Sequence, residues 1–226
     1  RGPNNLYQAL RVYRAQCHKP PEIRNQIVAA QADLAARGFM VPLTSLPPEK
    51  QEMIKSAPFT HYFPWRAVYK PGSVSTPVRL VVDPSCTGLN VILAKGENML
   101  TRIPDILVRL RTKRCAWSTD VSKLYNMLHL SDSALPYSLF LFSPSLADNT
   151  MPEVWAMTRA WYGITLTGNQ SGVALERIAE AKRDTLPLAV DPLTKERYVD
   201  NIASGADDEE ARKDQIIQTT DALAAG

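Results

Sequence analysis

At His61 the texture of the sequence changes, and the change excludes both an all-helical and an all-β chain. Upstream, Pro20-Pro21 is followed by Ile23, Ile27, Ala30 and Leu34 and closed by Gly38, the spacing of an amphipathic helix with proline at its start and glycine past its end. Leu46-Pro47-Pro48 opens another short helical turn through Met53 and Ile54, which Pro58 stops. From His61 aromatic and β-branched residues alternate in Tyr62-Phe63-Pro64-Trp65-Arg66-Ala67-Val68-Tyr69 and again in Val78-Arg79-Leu80-Val81-Val82-Asp83. With Lys70-Pro71-Gly72-Ser73 between them, these runs predict two strands joined by a Pro-Gly loop. A helical N-terminal extension over 1–58 followed by mixed elements makes the fold class α+β.

The mixture continues downstream. Ile103, Ile106, Leu107 and Leu110 mark a helix beginning near Pro104, and Ala116-Trp117-Ser118-Thr119-Asp120-Val121 is an apolar run of strand character that ends on an acid. Pro136 to Phe142 and Glu153 to Thr158 read as two further strands, and a helix runs from about Ser171 through Leu175, Ile178 and Ala179. Lys195-Glu196-Arg197-Tyr198-Val199-Asp200 reads as a strand entering a turn. Ala206-Asp207-Asp208-Glu209-Glu210 opens a last helix toward Leu223; its acids fall in the first turn, where the helix dipole favours them, so capping explains them better than metal binding.

With 226 residues, 45% hydrophobic and 22% charged, the chain can build one large domain or two small ones. No apolar run approaches the roughly 18 residues that span a bilayer, and Arg1-Gly2-Pro3-Asn4 lacks a signal peptide's apolar core, so no membrane association is expected. The start without Met reads as a piece cut from something longer. Cys17, Cys86 and Cys115 are odd in number and lack Cys-x-x-Cys spacing, which points to reduced thiols in an intracellular compartment, cytoplasmic or nuclear, and away from zinc. His18, His61 and His129 are equally scattered and read as surface or hydrogen-bonded core histidines. Residues 1–120 hold 17 Lys+Arg against 8 Asp+Glu, or +9, and residues 121–226 hold 9 against 15, or −6. A basic half joined to an acidic half suits a phosphate backbone on one side and metal ions on the other, although two solvated faces explain the charges as well.

Two aspartates stand where carboxylates would hold divalent ions: Asp120 at a strand end, and Asp200 in the turn of Tyr198-Val199-Asp200-Asn201, 80 residues on. Around them, a series of short motifs follows a family order: Tyr62-Phe63-Pro64 with Ala67-Val68-Tyr69-Lys70; Arg79-Leu80-Val81-Val82-Asp83; Gly88-Leu89-Asn90 with Leu93 and Gly96; Ile106-Leu107-Val108-Arg109; Thr119-Asp120-Val121-Ser122-Lys123-Leu124-Tyr125; Tyr162-Gly163; and Arg197-Tyr198-Val199-Asp200-Asn201. In this order the chain, from about residue 60 to its end, resembles the reverse transcriptase of BEL/Pao-type long-terminal-repeat retrotransposons.

The resemblance implies a fingers region over about 59–112 and a palm over about 113–226, with an antiparallel palm sheet backed by helices. It implies an RNA-directed DNA polymerase that uses two Mg²⁺ ions, a primed RNA or DNA template and deoxynucleoside triphosphates. Asp120 and Asp200 match its metal ligands, with the Val121 carbonyl beside the first. Arg79 and Lys70 match the basic residues that hold the incoming triphosphate, and Tyr125 matches the aromatic gate against a ribose 2′-hydroxyl. Asn201 stands where the family has a second hairpin aspartate, and an amide brings a metal an oxygen but no charge. Ile164-Thr165-Leu166-Thr167-Gly168-Asn169-Gln170-Ser171 replaces the family's Ser/Ala-Pro-aromatic run. No thumb or RNase H segment is recognisable, and these are expected in the remainder of a parent polyprotein. Two alternatives stand beside an impaired polymerase: a non-catalytic nucleic-acid-binding or scaffold module, and a decaying genomic copy.

Overall fold

The structure is a computed structural model that describes residues 5–69, 78–147 and 150–226. Along the chain the elements are α1 (Leu6–Cys17), α2 (Pro21–Ala36), β1 (Met40–Pro42), α3 (Pro48–Ser56), β2 (Trp65–Tyr69), β3 (Val78–Val82), α4 (Leu89–Ile92), α5 (Ile103–Arg111), β4 (Cys115–Asp120), α6 (Leu124–Met127), β5 (Leu139–Phe142), β6 (Glu153–Met157), α7 (Thr167–Ala181), α8 (Val190–Thr194), β7 (Arg197–Tyr198), β8 (Asn201–Ala206) and α9 (Glu209–Ala224). All the pairings between these strands are antiparallel, so the molecule is α+β. Two compact units divide the chain, residues 1–93 with 129–165 and residues 94–128 with 166–226.

The first unit holds the sheet β1-β6-β5 and the hairpin β2-β3. Its core joins Phe63, just ahead of β2, and the strand aromatics Trp65, Phe140, Phe142 and Trp155 to Tyr13, Cys17 and Ile27 from α1 and α2, so the helices of the N-terminal extension share a core with the strands. Trp65 donates its Nε1–H to the Leu141 carbonyl at 2.7 Å, and Phe142 meets Trp155 edge to face at 6.1 Å between centroids, geometry that adds about 0.5–1.5 kcal/mol beyond burial. His61 is buried here, its Nε2 2.9 Å from the Thr87 hydroxyl, which itself donates to the Pro84 carbonyl and therefore accepts from the ring. Desolvation pushes the imidazole below its ordinary value, and the backbone at Tyr137 offsets part of that.

The second unit is a three-stranded sheet of order β4-β8-β7 with α7, α8 and α9 supplying its core: Leu175 and Ala179 from α7, Leu193 from α8 and Ala222 from α9 close on Ile202 of β8 and on Leu124. Burying each of the larger aliphatic side chains contributes about 1.5–3 kcal/mol. Asp208 caps α9, its carboxylate accepting the Ala211 N–H at 2.8 Å, as the acid cluster predicts.

Several boundaries differ from the sequence expectations. Pro136 does not begin a strand; it lies in a 3-10 turn, Asp132–Tyr137, and β5 starts at Leu139. Helix α7 begins at Thr167, ahead of the expected Ser171. The expected strand Lys195–Asp200 shortens to Arg197–Tyr198, because α8 occupies the chain to Thr194 and Val199 turns it. Strand β1, three residues ending on proline, has no periodicity to reveal it. The Pro-Gly loop predicted between β2 and β3 lies outside the described residues. Among the described residues no helix is long and apolar enough to cross a membrane.

Candidate functional site

Strand alternation decides what β4 presents. Ala116, Ser118 and Asp120 are exposed, while Trp117 turns toward α9 and donates its Nε1–H to Gln215 Oε1 at 2.8 Å. The antiparallel register sets Ala116 against Gly205, Ser118 against Ala203 and Asp120 against Asn201. One face of the sheet is thus lined by small side chains and ends in an acid opposite an amide.

Beyond Asn201 the hairpin closes in two residues, Val199 and Asp200, between the pair Tyr198 and Asn201. A two-residue hairpin loop of this kind needs a positive φ, and Val199 supplies it at 56°, a conformation a β-branched residue adopts at a cost of about 1–3 kcal/mol. The Val121 N–H donates to the Asp200 carbonyl at 2.7 Å, tying the end of β4 to the turn. Asp120, Val121, Asp200 and Asn201 therefore meet at one end of one sheet.

Asn201 Nδ2 donates to Asp200 Oδ1 at 3.1 Å. Asp120 is exposed, and neither carboxylate is paired with lysine or arginine among the described residues. Two unneutralised carboxylates on adjoining strand ends, with an amide oxygen and backbone carbonyls beside them, form an all-oxygen donor set of the kind hard cations such as Mg²⁺ and Mn²⁺ take. The Val121 carbonyl also accepts the Leu124 N–H at 3.3 Å, which leaves it a second lone pair. Among the described residues no group of three His, Cys, Asp or Glu side chains converges, so the site holds two formal charges and no third.

Tyr125 borders the same site from α6. Burial raises its phenol above the ordinary value, and the Asp200 charge and then Tyr198 raise it further. A methyl group on Gly168, at the start of α7, would stand 3.7 Å from its hydroxyl. Five of the residues singled out in the sequence, Asp120, Val121, Tyr125, Asp200 and Asn201, thus belong to the second unit and cluster about the hairpin. Arg79 is exposed on β3, opposite Val68, in the first unit, and Lys70 lies outside the described residues.

A cleft of about 590 Å³ runs beneath β4 between α7 and α9, lined by Trp117, Leu124, Leu175, Ile178, Ile216 and Leu223 with Asp120 at its margin. Among the described residues its lining is mostly apolar and carries no Lys or Arg, which makes it unsuited to a triphosphate.

Two buried polar groups behind the hairpin carried no role in the sequence reading. Glu196 accepts from Ser204 Oγ at 2.5 Å, and Arg197 is 1% exposed, with Nε on the Leu193 carbonyl at 2.5 Å and Nη2 on the Gly172 carbonyl at 3.1 Å. Burial lowers the pKa of the Arg197 guanidinium, and Glu176, 3.7 Å away, partly restores it. Strand alternation holds the available signal, since with Tyr198 exposed Arg197 must face inward. In comparisons with known proteins, no family model matches the chain and no curated protein matches it significantly.

Proposed function

We propose that the chain is the fingers-and-palm part of a retroelement reverse transcriptase of the BEL/Pao type, an RNA-directed DNA polymerase whose metal site is weakened by Asn201. The observation that carries the reading is the meeting of Asp120 with Asp200 and Asn201 on adjoining strands, at the tip of a two-residue hairpin. Tyr125 beside Asp200 fits the sugar gate of such a site, and the small side chains Ser118 and Ala203, next to the Asp120–Asn201 pair, suit the approach of a primer end. Bound metal ions would activate the primer hydroxyl and hold the triphosphate. Asp120 and Asp200 would hold those ions, Tyr125 would exclude ribonucleotides, and Arg79 and Lys70 would grip phosphate. Primed RNA or DNA and deoxynucleoside triphosphates are the substrates, and a thumb and RNase H from the parent polyprotein, inside the cell, are the partners.

Primer extension tests it. The unmodified chain is expected to extend a DNA primer on an RNA template at or below detection with Mg²⁺. Joined to a thumb segment of the family, Asn201→Asp is expected to raise extension by about tenfold or more, the scale on which a lost metal ligand is felt. Robust extension by the unmodified chain would overturn the impairment, and no gain from Asn201→Asp would count against the polymerase.

The Asn201 amide favours a second reading, a non-catalytic nucleic-acid-binding module, because its N–H occupies an Asp200 lone pair that a metal would need. Salt-dependent binding of RNA–DNA hybrid, unchanged by Asp120→Ala and Asp200→Ala, would select that reading.

A further inference from the structure

Strand β7 is two residues long, pairs among the described residues with β8 alone, and leads into the strained turn that presents Asp200. Two ladder positions, Arg197 against Ile202 and Tyr198 against Asn201, with the Val121–Asp200 and Ala203–Glu196 backbone bonds on either side, hold a turn whose valine is in an unfavourable conformation. We infer that Arg197 is the positioning residue of this site: the β4–β8 ladder already sets Asn201 opposite Asp120, and the Arg197 guanidinium pins β7 to α7 and α8 and so fixes the turn that presents Asp200 beside them. The inference rests on the metal-site reading above and adds a residue to it.

The contacts are directional. Nε reaches the Leu193 carbonyl on α8 and Nη2 the Gly172 carbonyl on α7, so one planar group spans two helices that both close on Ile202. Room for it comes from glycine: a methyl group at Gly172 would approach Nη2 to 3.3 Å. Stability alone does not account for an arginine here. Its ion-pair partner, Glu176, is 3.7 Å away and partly exposed, and among the described residues the buried Nη1 has no hydrogen-bond partner. A buried cation so incompletely paired contributes no more to stability than an apolar side chain of its size, whereas its two fixed bonds give strand placement that an apolar side chain cannot.

The test separates placement from stability. In the full chain, Arg197→Met is expected to leave the melting temperature unchanged or higher while amide hydrogen exchange at Tyr198 and Asn201 speeds about tenfold and exchange at Leu175 in α7 does not change. Mn²⁺ affinity should fall in parallel, by about fivefold or more. Arg197→Lys, which keeps the charge and loses the fork, should fall between the two and supplies the exchange comparison if the methionine variant does not fold. Exchange at Tyr198 and Asn201 no faster than in the parent would overturn the inference. Mn²⁺ binding indifferent to Asp120→Ala and Asp200→Ala would instead overturn the metal site, and hairpin exchange would still decide the role of Arg197.

Discussion

One amide sets the charge at the end of this sheet. Asn201 faces Asp120 across the ladder and donates to Asp200, so the site has two formal negative charges where a third carboxylate would bind a divalent ion more tightly. The two acids stood out in the sequence through the order of the motifs around them, since an aspartate at a strand end is by itself usually a turn former. Arg197 did not, because its environment is assembled by Gly172 and Leu193 on separate helices. His61 carries a pH effect at the same scale. Its pKa is lowered in the folded chain, so on acidification the unfolded chain takes the proton first; the stability that neutral His61 contributes is complete above the ordinary value of 6.5 and is lost as pH falls from there toward the folded value. The melting temperature should accordingly fall as the pH is lowered below about 6.5, with a shallower fall in His61→Phe. Equal slopes in the two proteins would remove His61 as the cause.

Among the elements, the hairpin and the last helix differ in how they are held. Helix α9 has its own signal, acids at its start with Asp208 as the cap, and this signal was visible in the sequence. Asp208→Ala should cost about 1 kcal/mol in urea unfolding, followed by the fluorescence of Trp117, which bonds to Gln215 on that helix. No change in the urea midpoint would mean that packing, not the cap, holds the first turn. Strand β7 has no such local signal, since two residues show no period, and it is specified by what its side chains meet. Helix α7 was placed late for a related reason: Thr167-Gly168 is poor helix material, and Thr167, Ser171 and Gly172 are buried where tertiary packing overrides propensity.

At the scale of the molecule, strand pairing interleaves the chain. β1 joins β6 and β4 joins β8, so each unit is built from two distant segments, while a reading along the sequence returns only contiguous blocks. The interleaving also redistributes charge. The first unit carries 12 Lys+Arg against 8 Asp+Glu, or +4, and the second 14 against 15, or −1, so the contrast of +9 and −6 between the halves of the sequence is diluted in the fold. Global charge therefore says little about function here, and the functional claim rests on the end of one sheet. Its most direct test is Mn²⁺ binding to the 226-residue chain, followed by electron paramagnetic resonance. The parent should bind, and Asp120→Ala and Asp200→Ala should each weaken binding by about tenfold or more; a parent that binds no Mn²⁺, or variants that bind it as tightly as the parent, would contradict a metal site at the hairpin.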